Sequence, residues 1–140
     1  MVVYVKSALR LLVLAAVCGA LAATASDGAQ VRVFEMRTYT TAEGKLDDLQ
    51  RRFREHTMKL FERHGMSNIA YWTPQDPALA GHTLIYVFAH RSRDAAEESW
   101  AAFRADPQWQ KVKAASEADG PIVTRVESVF LEATDYSPIK

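Results

Sequence analysis

Hydrophobic positions recur along the chain with two different periods. Val31 to Thr40 (VRVFEMRTYT) alternates at period two, which predicts a strand. From Leu46 onward Leu49, Phe53, Thr57, Leu60, Phe61 and His64 gather on one side at about 100° per residue, opposite Arg51, Glu55, Lys59 and Glu62, which predicts a long helix. Gly65 suits the left-handed position that ends it. Asn68 to Thr73 (NIAYWT) is rich in β-formers and stops at Pro74. The segment PQDPALAG is a loop, and His82 to His90 (HTLIYVFAH) is a further strand. Their short separation favours an antiparallel pair.

Helical spacing returns from Ser92 to Ala105 and again from Pro107 to about Ser116. Asp106 and Pro107 have the form of a helix start, an aspartate cap followed by a proline at the first helical position, so two segments are predicted rather than one kinked helix. Trp109 then lies near Trp100 and Phe103, placed to clasp the corner between the segments. Gly120 and Pro121 break the chain, and Ile122 to Glu132 (IVTRVESVFLE) forms the last strand. The order β-α-β-β-α-β predicts an α+β, ferredoxin-like fold: a four-stranded antiparallel sheet with both helices on one face.

The period of two sorts the strand residues into two sets. Phe34, Met36 and Thr38 oppose Val33, Glu35, Arg37 and Tyr39; Thr83, Ile85, Val87 and Ala89 oppose His82, Leu84, Tyr86, Phe88 and His90. Ile85 and Val87 have the size expected to pack against helices. That assignment leaves Tyr39, Tyr86 and Phe88, with Glu35, Arg37, His82 and His90, on the open face. Large aromatics on a bare face mark an interaction surface, and the same face of a second copy is the simplest cover. The expectation is a homodimer holding a small, partly apolar molecule between its sheets. Its candidate ligand-binding residues are Glu35, Arg37, Tyr39, Trp72, Tyr86, Phe88 and His90, with Arg37 for an acidic group and His90 for proton exchange. In a plainer arrangement the face packs solid, with Glu35 and Arg37 as paired charges. A slip of one residue in strand phase would exchange the two faces.

Composition changes the picture chiefly at the N-terminus. Lys6 and Arg10 precede an apolar run of 13 residues, Leu11 to Ala23, followed by the small residues Ala23, Thr24 and Ala25. This is the form of a secretory signal peptide, residues 1–25, cleaved after Ala25. A membrane anchor would need roughly 20 apolar residues. A lipidated Cys18 would follow the bulky Val17, and a mitochondrial presequence would be amphipathic and richer in Arg and Ser. The expected organisation continues with a short lead (26–30), one domain (31–132) and a C-terminal tail (133–140), in a secreted or periplasmic protein no longer attached to the membrane. Without the signal, 15 basic residues face 17 acidic ones, which gives no reason to expect a nucleic acid partner. The single cysteine departs with the leader, so disulfides, thiolate metal sites and a cysteine nucleophile are excluded from the exported chain.

Neither a glycine-rich phosphate loop nor a G-x-S-x-G elbow occurs. The histidines at 56, 64, 82 and 90 lack metal-ligand spacing, so no metal and no organic cofactor is expected. His56 reads as a hydrogen-bonded core residue and His64 as a cation at a helix C-terminus. Two further functions stay open: a cofactor-independent oxygenase or isomerase, with His90 or His82 as base and Arg37 steadying an anion, and a protein interaction module of the envelope, docking through outer helix faces or the tail.

Several short motifs in order resemble the NIPSNAP family: EMRTYT (35–40), EGKL (43–46), ERHG (62–65), Tyr71-Trp72, LIYVFAH (84–90) with Arg91-Ser92, and ADPQW (105–109), together covering about Val31 to Leu131. The resemblance implies a ferredoxin-like domain that dimerises as an α/β barrel, a fold shared with small cofactor-independent monooxygenases and stress-responsive barrel domains. It also implies kinship with eukaryotic proteins associated with mitochondria and vesicle trafficking. It brings no agreed reaction, so no catalytic role is carried over to any residue.

Overall fold

The computed structural model describes residues 32–140; the expected signal peptide and the lead lie outside the described residues. The chain has the α+β ferredoxin-like fold. Strand β1 (Val33–Thr41) is followed by a helix built of α1 (Leu46–Arg52), a wide π-helical turn (Phe53–Thr57) and α2 (Met58–Arg63). Strands β2 (Ser67–Trp72) and β3 (Thr83–His90) come next, then α3 (Arg93–Ala105), α4 (Pro107–Ser116) and β4 (Val123–Glu132). The sheet is antiparallel in the order β2-β3-β1-β4, open rather than closed into a barrel.

Local chemistry accounts for the element ends. Gly65, at φ +80°, completes a Schellman cap on α2: its N–H reaches Glu62 O at 3.0 Å and Met66 N–H reaches Phe61 O at 3.0 Å. Ser92 caps α3 by accepting from Ala95 N at 3.0 Å. Asp106 caps α4 by accepting from Gln108 N at 2.8 Å, with Pro107 at the first position, so the two-segment expectation holds. The wide turn answers another feature of the sequence. Leu49, Phe53, Thr57 and Phe61 are spaced by four, which overruns a turn of about 3.6 residues, and the π-helical turn absorbs the excess so that all four stay buried. His56 falls elsewhere: its side chain is partly exposed, 3.8 Å from Glu55, and is not the core histidine expected.

Grouping of strand residues by period two is correct, but the side assigned to each group is reversed. Tyr86, Phe88, Leu84, Glu35 and His90 are buried under the helices, and Tyr39 and Arg37 point the same way. The helices supply Phe53, Phe61, Trp100 and Phe103. Phe61 packs at 4.7 Å from Phe88, and Phe53 at 5.2 Å from Tyr86. Filling the space between a helix layer and a broad sheet at interior density takes large rings. The medium aliphatics sit on the bare face instead, where Met36, Ile85 and Val87 are half-buried and Val129 is 50% exposed.

Candidate functional site

The buried centre of the helix-side layer is a carboxylate. Glu35, 1% exposed, accepts from Arg37 Nη1 at 2.6 Å and Ser128 Oγ at 2.7 Å on Oε1, and from Trp100 Nε1 at 2.7 Å on Oε2. His90 Nε2 lies 3.1 Å from Oε2. Residues 35 and 37 share a face of β1, and Ser128 pairs with Arg37 across to β4, so the sheet alone assembles three members of the set. Trp100 arrives from α3. Burial alone would raise the Glu35 pKa, but the hydrogen bonds from His90, Trp100, Ser128 and Arg37 outweigh it and hold the carboxyl at about 2. An ionised carboxylate only accepts, which places a proton on His90 Nε2 and leaves the buried Nδ1 without a partner among the described residues. Glu35 therefore organises its neighbours and is too acidic to serve as a base near neutral pH.

Arg37 extends from this centre into a cleft of about 360 Å3 between the sheet and the helices. Its guanidinium lies over the Trp100 ring, 4.2 Å from the centroid, and 5.7 Å from that of Tyr39. Tyr39 shares the floor, Phe53 and Thr57 of the wide turn form one wall, and Trp100, Phe103 and Trp109 form another. Trp109 stacks against Phe103 at 4.5 Å, so it clasps the corner between α3 and α4 and also faces the cleft. Val123 and Val126 border it from β4; Val126 is 45% exposed at its mouth. Arg52, Arg104, Lys113 and Glu117 bring charge to it, with Arg52 Nη1 donating to Glu117 at 2.9 Å.

Behind the floor, Tyr86 is the direct cross-strand neighbour of Arg37 and packs edge-on to Tyr39 at 5.1 Å. Burial first, then Tyr39, pushes the Tyr86 phenol well above its usual pKa, so it stays neutral; its hydroxyl has no partner among the described residues. A larger outer groove of about 770 Å3 runs between α1 and α4. It is walled by charged residues such as Lys45, Asp48 and Arg51, which pair with one another, and lacks the aromatic walls of the inner cleft.

The residues expected to line a space between two sheets are thus redistributed. Arg37 and Tyr39 border the inner cleft; Tyr86, Phe88, Glu35 and His90 lie sealed beneath or beside it. Trp72 stands on the bare face near Phe34, Val87 and Leu131. Neither His82 nor His90 borders the cleft, and His64 is engaged by Asp106 at 2.7 Å. Sequence reasoning missed Trp100, Phe103, Phe53 and Arg52 as cleft residues. The four-residue spacing of Leu49, Phe53, Thr57 and Phe61 was the available signal for the wide turn that brings Phe53 and Arg52 there.

Comparison with known proteins follows the fold. No curated protein matches the chain. A NIPSNAP family protein of unknown function from Agrobacterium tumefaciens superposes with a TM-score of 0.68 at 18% identity, over 79% of this chain and 96% of its own. A NIPSNAP-like domain protein from Burkholderia xenovorans gives 0.67 at 16%, over 78% and 90%. A monooxygenase from Streptomyces coelicolor, in complex with nanaomycin D, gives 0.56 at 12%, over 81% and 97%. The NIPSNAP family model matches residues 34–138. With most of the chain covered by that match, and the same fold in two solved relatives, this protein belongs to the NIPSNAP family.

Proposed function

We propose that the protein binds a small, partly apolar molecule in the cleft between its own sheet and helices, one cleft in each subunit of a homodimer. The observation that carries this reading is a cleft of about 360 Å3 with aromatic walls and the Arg37 guanidinium at its inner end. Ligand sites combine a mostly apolar lining with a few oriented polar groups in volumes of about 300–1,000 Å3. The homodimer rests on the bare sheet face, where Trp72, Val129 and Leu131 are 53%, 50% and 39% exposed beside half-buried Met36, Ile85 and Val87.

The test is to fill the cleft from its mouth. In a thermal-shift screen of small aromatic and aliphatic compounds, the wild type is expected to yield hits that Val126→Trp abolishes. Val126 is exposed, so the substitution leaves the core intact. Hits that persist undiminished in Val126→Trp would place the binding elsewhere and end the proposal.

A second reading, a cofactor-independent oxygenase or isomerase in the same cleft, takes its support from the likeness to the Streptomyces monooxygenase. Such chemistry asks for a base beside the substrate. The carboxylate bordering the cleft is Glu117, committed to Arg52 at 2.9 Å, and none of the four histidines borders it. Binding is therefore the function the geometry supports best.

A further inference from the structure

The cleft has more than one cation, and they differ in where their counter-ions stand. Arg52 and its partner Glu117 both border the cleft, so a ligand there meets a neutralised pair. At Arg37 the arrangement is different. Its partner Glu35 lies outside the cleft lining, behind the guanidinium, and holds Nη1 alone. The Nε of Arg37 is buried and has no hydrogen-bond partner among the described residues. Glu35 takes one of the guanidinium's amino groups, and a guanidinium carries five donors, so capacity remains for a bound acceptor.

The same carboxylate fixes the direction of that donor. Glu35 Oε1 takes Arg37 Nη1 while Oε2 takes the indole N–H of Trp100, the ring over which the guanidinium is stacked. Both the cation and its platform are pinned by one group, so the part of the guanidinium that borders the cleft is held without further ordering, the Arg37 side chain keeping 17% of its surface accessible. A planar fork edge matches the two oxygens of a carboxylate, which a point charge does not. The remaining surroundings are rings: Tyr39 on the floor, Phe53 on one wall, Phe103 and Trp109 on the other.

Resting on the binding reading above, we infer that the ligand is a flat aromatic carboxylic acid whose carboxylate pairs with the Arg37 guanidinium where it borders the cleft and whose ring lies among Phe53, Phe103 and Trp109. The acid is distinguished from its neutral amide by Arg37, while the ring supplies the affinity the two share. Rim cations Arg104 and Lys113 attract anions of any shape and do not make this distinction.

The experiment compares 2-naphthoate with 2-naphthamide by calorimetry and tryptophan fluorescence on wild type, Arg37→Met, Arg37→Lys and Val126→Trp. Wild type is expected to bind the acid roughly tenfold or more tightly than the amide, the size of a charge-assisted hydrogen bond. Arg37→Met is expected to erase that preference, the acid and the amide then binding alike. Because Arg37→Met strips Glu35 of a partner and can unfold the chain, Arg37→Lys is the second variant. It keeps the charge and loses the fork, and is expected to lose most of the preference. Equal binding of the two probes to wild type, a preference that survives both substitutions, or no binding of either probe overturns the inference. If the probes bind equally and Val126→Trp blocks both, the ligand class is wrong and the cleft reading stands. Binding indifferent to Val126→Trp removes both.

Discussion

Glu35 is the residue on which the most neighbours depend, and its chemistry gives a signed pH prediction. At pH 7 the carboxyl is ionised in folded and unfolded chains alike. Below its ordinary value of 4.5 the unfolded chain takes up a proton that the folded carboxylate refuses until about pH 2. Its contribution is therefore complete above about pH 4.5 and is lost as the pH falls toward 2, amounting to at most roughly 3 kcal/mol. Other carboxylates, Asp106 among them, also weaken in acid, so the informative quantity is the gap between wild type and Glu35→Gln. Gln turns an N–H2 toward donors and leaves Arg37 without its counter-charge, so urea melts at pH 7 are expected to show a loss of roughly 3 kcal/mol. That gap should narrow steadily between pH 5 and pH 3. A gap that stays constant across the range would show that Glu35 is not the anion described. From the chain alone, Glu35 and Arg37 could be foreseen as a pair, since alternate strand residues share a face. The other donors could not: Trp100 and Ser128 are 65 and 93 positions away, and only the finished fold brings them to the same carboxylate.

Among elements, the long helix shows how much of a local design is written in sequence and where that ends. Its capping glycine was legible because the left-handed turn is a property of one residue. With φ at +80°, Gly65→Ala is expected to cost about 1 kcal/mol in urea unfolding from backbone strain. An added Cβ would meet Ser99 Oγ at 3.4 Å, an ordinary contact, so collision contributes little. Gly81→Ala is the control, with no atom within 4 Å of its added Cβ and no left-handed backbone, and it is expected to be neutral. Equal losses at both sites would mean that the Schellman cap does not depend on the glycine. The Asp106 cap was legible for the same local reason. The strands were legible as elements and as two sets of side chains, yet which set faced the helices was not. Alternation fixes a period and leaves the sign free. What decided it was the volume of Phe53, Phe61, Trp100 and Phe103 on the helices, whose rings meet Tyr86 and Phe88 and leave Ile85 and Val87 for the far side. That reversal is why the cleft lies within the protomer and not between sheets.

For the whole molecule, the two sides of the sheet carry separate tasks in the proposed dimer. Residues 126 and 129 of β4 show the division: Val126 pairs with Tyr39 on the helix side, at the cleft mouth, while Val129 pairs with Met36 on the bare side. Val129 projects from a strongly apolar neighbourhood and is half exposed in the protomer. Buried between two sheets, a lysine there would be a charge without a counter-ion, and one such unpaired charge costs about 3 kcal/mol or more, a factor of over a hundred in affinity. Sedimentation equilibrium is therefore expected to find the wild type dimeric at micromolar concentration and Val129→Lys monomeric. The same monomer should keep its cleft, because no residue of the cleft lining belongs to the bare face. Probe binding blocked by Val126→Trp should consequently survive Val129→Lys with little change. A wild type that sediments as a monomer refutes the dimer while leaving the cleft untouched; binding that disappears with Val129→Lys would instead show that the cleft needs the second subunit to hold its shape.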